Sequence, residues 1–256
     1  YILANPPFND GAKGADGWGS RLIAANDPRL SPFGEPLALS PRNANSMWML
    51  HFLHHLAPGG MAGFVMANGE LSSSEVSRLA VRKALVDNNV VDCVVQLSGQ
   101  LFANTQIPCA LWFLSRNRAG EKGFRDRRDE VLFIDGRKLG SLIPGSRKQK
   151  QLSDDEVELI AGIYRHFKRE GVPDEVKGFC KVATLDEISA HRYALTPGRY
   201  VGSPDGGEDE EDFEAAAPGL AAELGRQLRQ SAKLDAEIRA RLREVGLEVE
   251  LVSQST

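Results

Sequence analysis

Two consecutive prolines follow a short apolar run at the start of the chain and fix where its first strand ends. Tyr1-Ile2-Leu3-Ala4 is apolar and is followed directly by Asn5-Pro6-Pro7-Phe8. Proline has no backbone N–H to donate and holds φ in a narrow range, so two in a row cannot continue a central strand. The sequence therefore predicts a strand that stops at Ala4 and a stiff loop that begins at Asn5.

Strand and helix patterns then alternate along the first 150 residues. Apolar runs typical of buried strands occur at four further places: 61–66, 90–97, 107–114 and 131–134. Helical spacing of apolar residues runs from Asn45 to Pro58. A second helix is predicted from Ser72, which has the capping-box spacing to Glu75. Strands that alternate with helices favour a crossover α/β sheet. The second and third of the four runs have no helix between them, which predicts a hairpin at the end of that sheet.

The pattern becomes mainly helical after residue 150. Ser153 and Glu156 again have capping-box spacing and open an amphipathic helix. An acidic run at 208–212 is predicted to be a solvated linker before a last helix at about 213–245. Apolar residues recur every four positions on that helix, in two rows: Leu220, Leu224, Leu228, Leu234, Ile238 and Leu242. The expected parts of the chain are an α/β domain over 1–150, a helical and irregular extension over 151–205, and an acidic linker with a C-terminal helix over 206–256.

The charge is unevenly distributed along the chain. There are 31 Lys and Arg against 35 Asp and Glu, a net charge of −4, which gives no overall case for nucleic-acid binding. Residues 116–150 contain eleven Lys or Arg and five Asp or Glu, a local balance of +6. Such a cationic loop is suited to contact phosphate, and a solvated hairpin tip is the alternative. The candidate phosphate contacts are Arg116, Arg118, Lys122 and Arg125.

Cysteines, histidines and hydropathy argue against several other classes. Cys93, Cys109 and Cys180 are too few and too scattered for a disulfide framework or a four-ligand zinc site, which favours a reducing cytoplasm. His51 and His55 are four residues apart, but no glutamate follows the first histidine, so no metal is predicted. No apolar run reaches about 18 residues, so neither a membrane-spanning helix nor a membrane partner is expected.

Asn5-Pro6-Pro7-Phe8 is the strongest candidate for a catalytic site. An exocyclic amino nitrogen is a poor nucleophile because its lone pair is delocalised into the attached ring or carbonyl. The Asn5 side-chain carbonyl and the Pro6 main-chain carbonyl could each accept one amino hydrogen and so localise the lone pair. The prolines would hold both acceptors in place, and Phe8 could stack on a flat ring taken out of a duplex. The alternative is a proline-terminated strand with Asn5 as a turn residue.

This motif resembles the catalytic Asn-Pro-Pro-Phe of N6-adenine DNA methyltransferases. The wider sequence resembles the modification subunits of type I restriction-modification systems. The segments that carry the wider resemblance are Asn43-Ala44-Asn45, Leu56-Ala57-Pro58-Gly59-Gly60, Ala62-Gly63-Phe64-Val65-Met66-Ala67-Asn68-Gly69, Thr105-Gln106-Ile107-Pro108, Phe133-Ile134-Asp135-Gly136-Arg137 and Thr196-Pro197-Gly198-Arg199-Tyr200-Val201-Gly202. They extend over nearly the whole chain.

The resemblance implies the C-terminal part of a Rossmann-like, S-adenosylmethionine-dependent methyltransferase sheet, followed by an α-helical C-terminal extension. It implies methyl transfer to N6 of an adenine flipped out of duplex DNA, with Asn5, Pro6, Pro7 and Phe8 as catalytic residues and the basic loop as a possible DNA contact. Members of the family bind the methyl donor through a glycine-rich turn upstream of this motif. No donor-binding residue is therefore assigned, and 1–150 is interpreted as an incomplete catalytic domain that is inactive alone.

The resemblance also implies partners. In the family, two modification subunits assemble with one specificity subunit, and a restriction subunit joins for cleavage. The C-terminal helix is expected to dock on the specificity subunit, because its apolar stripe has few neighbours in the sequence. Two alternatives stay open. One is a non-catalytic interaction module, and the other is a methyltransferase that modifies an rRNA or protein amide nitrogen, since Asn-Pro-Pro-Phe/Tyr loops also serve those enzymes.

Overall fold

The computed structural model describes residues 1–8, 26–40, 43–103, 105–202, 213–244 and 246 of the 256-residue chain. The chain divides into two compact units, Tyr1–Pro204 and Asp205–Thr256. The strands are β1 (Ile2–Ala4), β2 (Met61–Ala67), β3 (Val91–Leu97), β4 (Cys109–Ser115), β5 (Glu130–Gly136), β6 (Ser141–Leu142), β7 (Lys150–Gln151) and β8 (Cys180–Thr184). The helices are α1 (Asn45–His55), α2 (Gly69–Ser72), α3 (Val76–Asp87), α4 (Asp154–Arg169), α5 (Leu185–Ala190) and α6 (Phe213–Glu244).

Six strands form one mixed sheet in the order β1-β2-β4-β3-β5-β8, which confirms the predicted α/β fold. β1 pairs parallel with β2, and β3 pairs parallel with β5, whereas β4 runs antiparallel to both β2 and β3. The hairpin of β3 and β4 is therefore present, but its predicted place at the end of the sheet is wrong. β4 lies between β2 and β3 and pairs with both, and its side chains are buried on both faces, Trp112 on one and Cys109 on the other, as in an interior strand.

The sheet divides the core into two apolar clusters. Successive side chains of a strand point to opposite faces, so Phe133 of β5 joins one cluster and its neighbours Leu132 and Ile134 join the other. On the first face α1 contributes Leu50, and on the second face α4 contributes Phe167. Helices cover both faces of the sheet, which is the layer arrangement expected for this fold class.

One strand of the sheet comes from the segment that the sequence indicated to be helical and irregular. β8 pairs antiparallel with β5 from Glu130 opposite Thr184 to Ile134 opposite Cys180. The same segment contains α4, whose Ser153 cap is confirmed. Its hydroxyl accepts the Glu156 amide hydrogen, while the Glu156 carboxylate accepts the Ser153 amide hydrogen at 2.8 Å.

The predicted capping box at Ser72 and Glu75 is wrong. The short helix α2 ends at Ser72, and α3 begins after Glu75 with no side-chain cap. The guanidinium of Arg82 explains the break, because it donates to the main-chain carbonyls of Glu70 and Ser73 and holds the chain between the two helices in a separate turn.

The second unit contains α6, a helix of 32 residues at the position expected from the sequence. Five of the six apolar residues of its stripe are exposed, including Leu224 at 57% and Leu228 at 62%, and Leu242 is half-buried. The acidic run at 208–212 lies outside the described residues. In the described part of the chain, no helix is both long enough and apolar enough to cross a membrane.

Candidate active site

The carboxyl ends of β1, β2, β3 and β5 meet at one edge of the sheet, here called the carboxyl edge. The register places Ala4 beside Phe64 and the end of β2, Ala67, beside the start of β4, Cys109. Asn5 follows β1 at this edge. Ligands of α/β sheets bind outside the carboxyl ends of the strands, so the sheet presents the Asn-Pro-Pro-Phe loop at the usual place for a site.

A cleft of about 280 Å³ lies at this loop and is called the aromatic cleft below. The residues that line it come from two loops: Asn5, Pro6, Pro7, Phe8, Phe102, Ala103 and Thr105. The rings of Phe8 and Phe102 lie edge to face, with their centroids 6.1 Å apart and their planes at 87°. The cleft thus combines two aromatic walls with the amide of Asn5, which suits a flat ring that carries an amino group.

Two candidate hydrogen-bond acceptors at the cleft are open. The side chain of Asn5 is exposed, and Pro6 is buried beneath it. Among the described residues, neither the Asn5 amide nor the Pro6 carbonyl takes part in a hydrogen bond. Both oxygens can therefore accept hydrogens from a ligand without breaking a bond to any of the described residues.

The second wall of the cleft belongs to the connection between β3 and β4, which the sequence did not identify as part of a site. Phe102 and Thr105 form an isolated bridge across a tight turn, and the Gln100 carbonyl accepts the Lys150 amide hydrogen at 2.8 Å. A Cβ on Gly99 would lie 2.5 Å from the Gln106 carbonyl oxygen, so only glycine fits there. The signal that could have found this loop is its place between β3, which ends at the carboxyl edge, and β4, which begins there.

The basic loop lies at the opposite edge, here called the amino edge. β4 runs from Cys109 beside Ala67 to Ser115 beside Met61. Its seven residues span about 20 Å, at roughly 3.3 Å per residue. Residues 116–128 follow Ser115, so the structure separates them from the aromatic cleft by the height of the sheet.

Most candidate phosphate contacts in that loop are occupied by partners within the protein. Arg118 is 5% exposed and forms an ion pair with the fully buried Asp92. Arg116 donates to the Leu53 carbonyl at 2.9 Å. Arg125 pairs with Glu130 at 2.6 Å, and its Nε donates to the Phe167 carbonyl at 2.6 Å. Lys122 is exposed. The structure thus holds three of the four side chains inward and leaves Lys122 at the surface of the amino edge.

Asp92 is the centre of a buried polar network at the amino edge. Its Oδ1 atom accepts from Arg118 and, at 3.0 Å, from Nε of Arg127, which is also fully buried. Its Oδ2 atom accepts the hydroxyl hydrogen of Tyr164 at 2.7 Å. Burial raises the pKa of Tyr164 well above its usual value, so this hydroxyl stays a donor. The network joins β3, the basic loop and α4, which indicates a structural role.

The histidines and cysteines show no arrangement suited to metal binding or nucleophilic attack. The described residues include no group of three or more His, Cys, Asp and Glu placed to hold a metal. His51 approaches Arg29, with 3.2 Å between Nδ1 and Nη1, and its ring lies 4.3 Å from that of His55. The three cysteines are free and buried, and burial raises the pKa of Cys109 to about 11, which disfavours its thiolate.

The structure thus combines an α/β sheet with an Asn-Pro-Pro-Phe cleft at its carboxyl edge. The family model described as N-6 DNA methylase matches residues 1–209, and the chain belongs to this family.

Within this family, the chain is similar to curated methylase subunits of type I restriction enzymes. It is 38% identical over 249 residues to the HindI methylase subunit of a type I restriction enzyme from Haemophilus influenzae, covering 97% of this chain and 52% of the relative. It is 37% identical over 252 residues to the MjaIX methylase subunit from Methanocaldococcus jannaschii, covering 96% and 42%. The chain therefore spans about half the length of these relatives.

Solved structures support the fold. The methyltransferase subunit of a type I restriction-modification system from Streptococcus thermophilus superposes with a TM-score of 0.63 at 28% identity, covering 79% of this chain and 38% of that one. The M protein of the type I restriction enzyme EcoKI gives a TM-score of 0.55 at 16% identity and covers 99% and 51%. These similarities confirm the Rossmann-like methyltransferase fold that the sequence resemblance implied.

Proposed function

We propose that this chain provides the catalytic loop of a site-specific DNA adenine N6-methyltransferase, the modification subunit of a type I restriction-modification system. The observation that carries the proposal is the aromatic cleft, where Asn5 and Pro6 meet Phe8 and Phe102 at the carboxyl edge. The family and the names of the relatives support adenine in DNA as the acceptor. The alternatives of an interaction module or of an rRNA or protein methyltransferase gain no support from the same comparisons.

The proposed mechanism concerns the acceptor base. An adenine flipped out of the duplex enters the cleft and packs against Phe8 and Phe102. The Asn5 side-chain oxygen accepts one hydrogen of the N6 amino group, and the Pro6 carbonyl accepts the other. These bonds withdraw the nitrogen lone pair from the ring and direct it out of the base plane. Because Pro6 and Pro7 restrict the loop, both acceptors are in place before the base arrives.

The proton balance needs no strong base in the cleft. The amino nitrogen gains a methyl group and becomes cationic, after which one of its protons is acidic enough to leave to water. This agrees with the described residues that line the cleft, among which there is no carboxylate, histidine or lysine. Asn5 therefore orients and stabilises rather than removes a proton in the rate-determining step.

S-adenosylmethionine is the proposed methyl donor, and it would supply an electrophilic methyl group. The described residues do not fit a binding site for it, because no glycine-rich turn joins a strand to a helix among them. No residue of this chain is assigned to the donor.

Methyl transfer to DNA tests the proposal. The complete gene product, with its specificity subunit, would be given labelled S-adenosylmethionine and duplex DNA, and label at adenine N6 would be measured. Asn5→Ala should lower kcat at least about 100-fold, as loss of a preplaced transition-state partner does. Asn88→Ala is the matched control, since Asn88 is an exposed residue at the end of α3 and the amino edge. Absence of label with an intact complex would reject the function.

The exposed stripe of α6 is the proposed contact with the specificity subunit, within an assembly that also includes a second modification subunit and, for cleavage, a restriction subunit. A helix that leaves Leu224 and Leu228 more than half exposed suits a partner helix better than solvent. Leu224→Glu with Leu228→Glu should abolish co-purification of the specificity subunit. Ala222→Glu with Ala240→Glu adds the same two charges to the face of α6 opposite the stripe and should leave assembly intact. Equal assembly by both pairs would contradict this contact.

A further inference from the structure

A second cavity lies at the carboxyl edge, outside the aromatic cleft. Its volume is about 460 Å³, and it is called the arginine cavity below. Ser72 and Ser74 line one side, in the connection that follows α2, and His191, Arg192 and Arg199 line the other, in the segment that follows α5. The mechanism proposed above assigns no role to any of these residues.

The cavity is built around the buried guanidinium of Arg82, which is 3% exposed. It donates from Nε to the Tyr193 carbonyl at 3.0 Å, from Nη1 to the Glu70 carbonyl at 3.2 Å and from Nη2 to the Ser73 carbonyl at 2.6 Å. These three bonds tie the two walls together. All three acceptors are neutral, so the positive charge of Arg82 is not cancelled by its hydrogen-bond partners.

The surface of the cavity is cationic. In the described part of the chain, the guanidinium groups of Arg192 and Arg199 form no ion pair and no hydrogen bond. Among the described residues that line the cavity, none carries a carboxylate. Glu70, a buried carboxylate of α2, is paired with Arg78 at 3.4 Å. Two free guanidinium groups beside serine hydroxyls form a donor set suited to the oxygens of a phosphate.

The backbone conformation at residues 192 and 193 fixes the position of Arg192. Arg192 has φ 53° and Tyr193 has φ 57°, both in the left-handed region that residues other than glycine rarely adopt. The bond from Arg82 to the Tyr193 carbonyl holds this conformation, and the Leu195 amide hydrogen is donated to the Leu71 carbonyl at 2.7 Å. Arg192 is therefore presented by an ordered turn and not by a loose loop.

The cavity lies at a distance from the aromatic cleft that a DNA backbone can bridge. The turn at Pro197–Arg199 contacts β3 and β5, which are three and four strands away from β1 in the sheet. At about 4.8 Å per strand, that is roughly 15–19 Å along the carboxyl edge. One DNA strand carries a phosphate for about every 3.4 Å of helix axis, so the cavity falls about four to six phosphates from a base in the cleft.

We propose that the arginine cavity binds a backbone phosphate of the duplex whose target base enters the aromatic cleft. Arg192 and Arg199 contact the phosphate oxygens, and Arg82 is a positioning residue that holds the two walls. This assignment rests on the proposed function. It places DNA contact at the carboxyl edge and away from the basic loop at the amino edge.

The dependence of DNA affinity on salt tests the assignment. The complete gene product with its specificity subunit would be compared with Arg192→Gln/Arg199→Gln in DNA binding at several salt concentrations and in methyl transfer. Removal of one cation from a DNA phosphate lowers the slope of log K against log[salt] by about 0.9. We expect the slope to fall by about one to two and the KM for DNA to rise roughly tenfold or more, with kcat at saturating DNA unchanged.

Two variants make the result specific. Arg192→Lys/Arg199→Lys keeps the charge and should restore most of the salt slope. Arg128→Gln removes an exposed arginine that pairs with Asp126 at the amino edge and should leave slope and KM as in the wild type.

The outcomes separate the inference from the proposed function. A wild-type slope in Arg192→Gln/Arg199→Gln, in a complex that methylates DNA, would overturn the phosphate site and leave the methyltransferase intact. A changed slope without methyl transfer by the wild type would keep the phosphate site and reject the methyltransferase. Arg199→Gln alone provides the same readout if the double variant is not folded.

Discussion

The ring of Phe102 stands edge-on to the ring of Phe8, with 6.1 Å between the two centroids. One phenylalanine follows β1 and the other lies in the connection between β3 and β4. In the sheet, β2 lies between β1 and the hairpin of β4 and β3, so the contact forms only when β2 has paired with both β1 and β4. The aromatic cleft is therefore a product of tertiary structure and not of the Asn-Pro-Pro-Phe motif alone.

Phe102→Ala should weaken methyl transfer without unfolding the protein. Stacking of one base on an aromatic ring contributes about 1–3 kcal/mol, which corresponds to roughly 5- to 150-fold in kcat/KM. The measurement is steady-state methyl transfer to duplex DNA by the complete complex. Phe102→Trp keeps an aromatic wall and should retain most of the activity. Wild-type kcat/KM in Phe102→Ala would show that this ring does not contact the target base.

Gly99→Ala should displace the second wall of the cleft. Its Cβ would lie 2.5 Å from the Gln106 carbonyl oxygen, a backbone atom that cannot move without shifting the loop that carries Phe102. We expect a loss of methyl transfer of at least about tenfold, since displacement of a positioning loop by about 1 Å is costly. The control is Gly162→Ala in α4, where the Cβ would meet only the far end of Arg165 at 3.9 Å. Equal activity in the two variants would contradict the role of this loop.

Asp92→Asn should strongly destabilise the fold. The substitution leaves Arg118 and Arg127 buried without a counterion, which costs about 3–5 kcal/mol of the free energy of unfolding. Urea unfolding of the complete gene product measures the difference. Asp126→Asn is the control from the same loop, because its pair with Arg128 is exposed to solvent and should contribute little to stability. A loss below about 1 kcal/mol in Asp92→Asn would show that the network is not structural.

Lys168 should make the stability depend on alkaline pH. Burial, with the nearby charges of Arg127 and Arg169, lowers its pKa to about 8 from the usual 10.5. Between these values the folded protein loses this proton before the unfolded chain does, so the unfolded state binds more protons and stability rises with pH. Relative to Lys168→Met, the free energy of unfolding of the wild type should increase from pH 8 towards pH 10.5. The exposed Lys138→Met should follow the wild type, and parallel curves for all three proteins would refute the assignment.

The elements that follow from local sequence were predicted well, and those that depend on distant partners were not. The apolar runs gave β2 to β5, and Ser153 gave the start of α4, because periodicity and capping are local properties. Phe102 could not be recognised as a site residue, since its position depends on the insertion of β4 between β2 and β3. The strand β8 was missed, because its five residues form a strand only through pairing with β5.

The basic loop shows the same limit for charge. Arg118 and its neighbours resemble a phosphate-binding surface in the sequence, because Asp92 lies 26 residues before Arg118 and gives no local sign of pairing with it. The cationic surface at the carboxyl edge is equally hidden, since Arg82, which joins its two walls, lies far from Arg192 and Arg199 in the chain. A count of charges along a sequence reports composition, whereas binding depends on which charges the fold leaves without a partner.

The two ends of β4 have a consequence for how this protein tolerates change. Ser115 leads into the Asp92 network, and Cys109 follows the loop that carries Phe102. Variants at one end are expected to reduce the amount of folded protein, and variants at the other end to reduce turnover per folded molecule. In a library that randomises both ends, effects on stability and effects on turnover should therefore be nearly independent. Stabilising substitutions at the amino edge should offset losses of stability elsewhere and leave turnover per folded molecule unchanged.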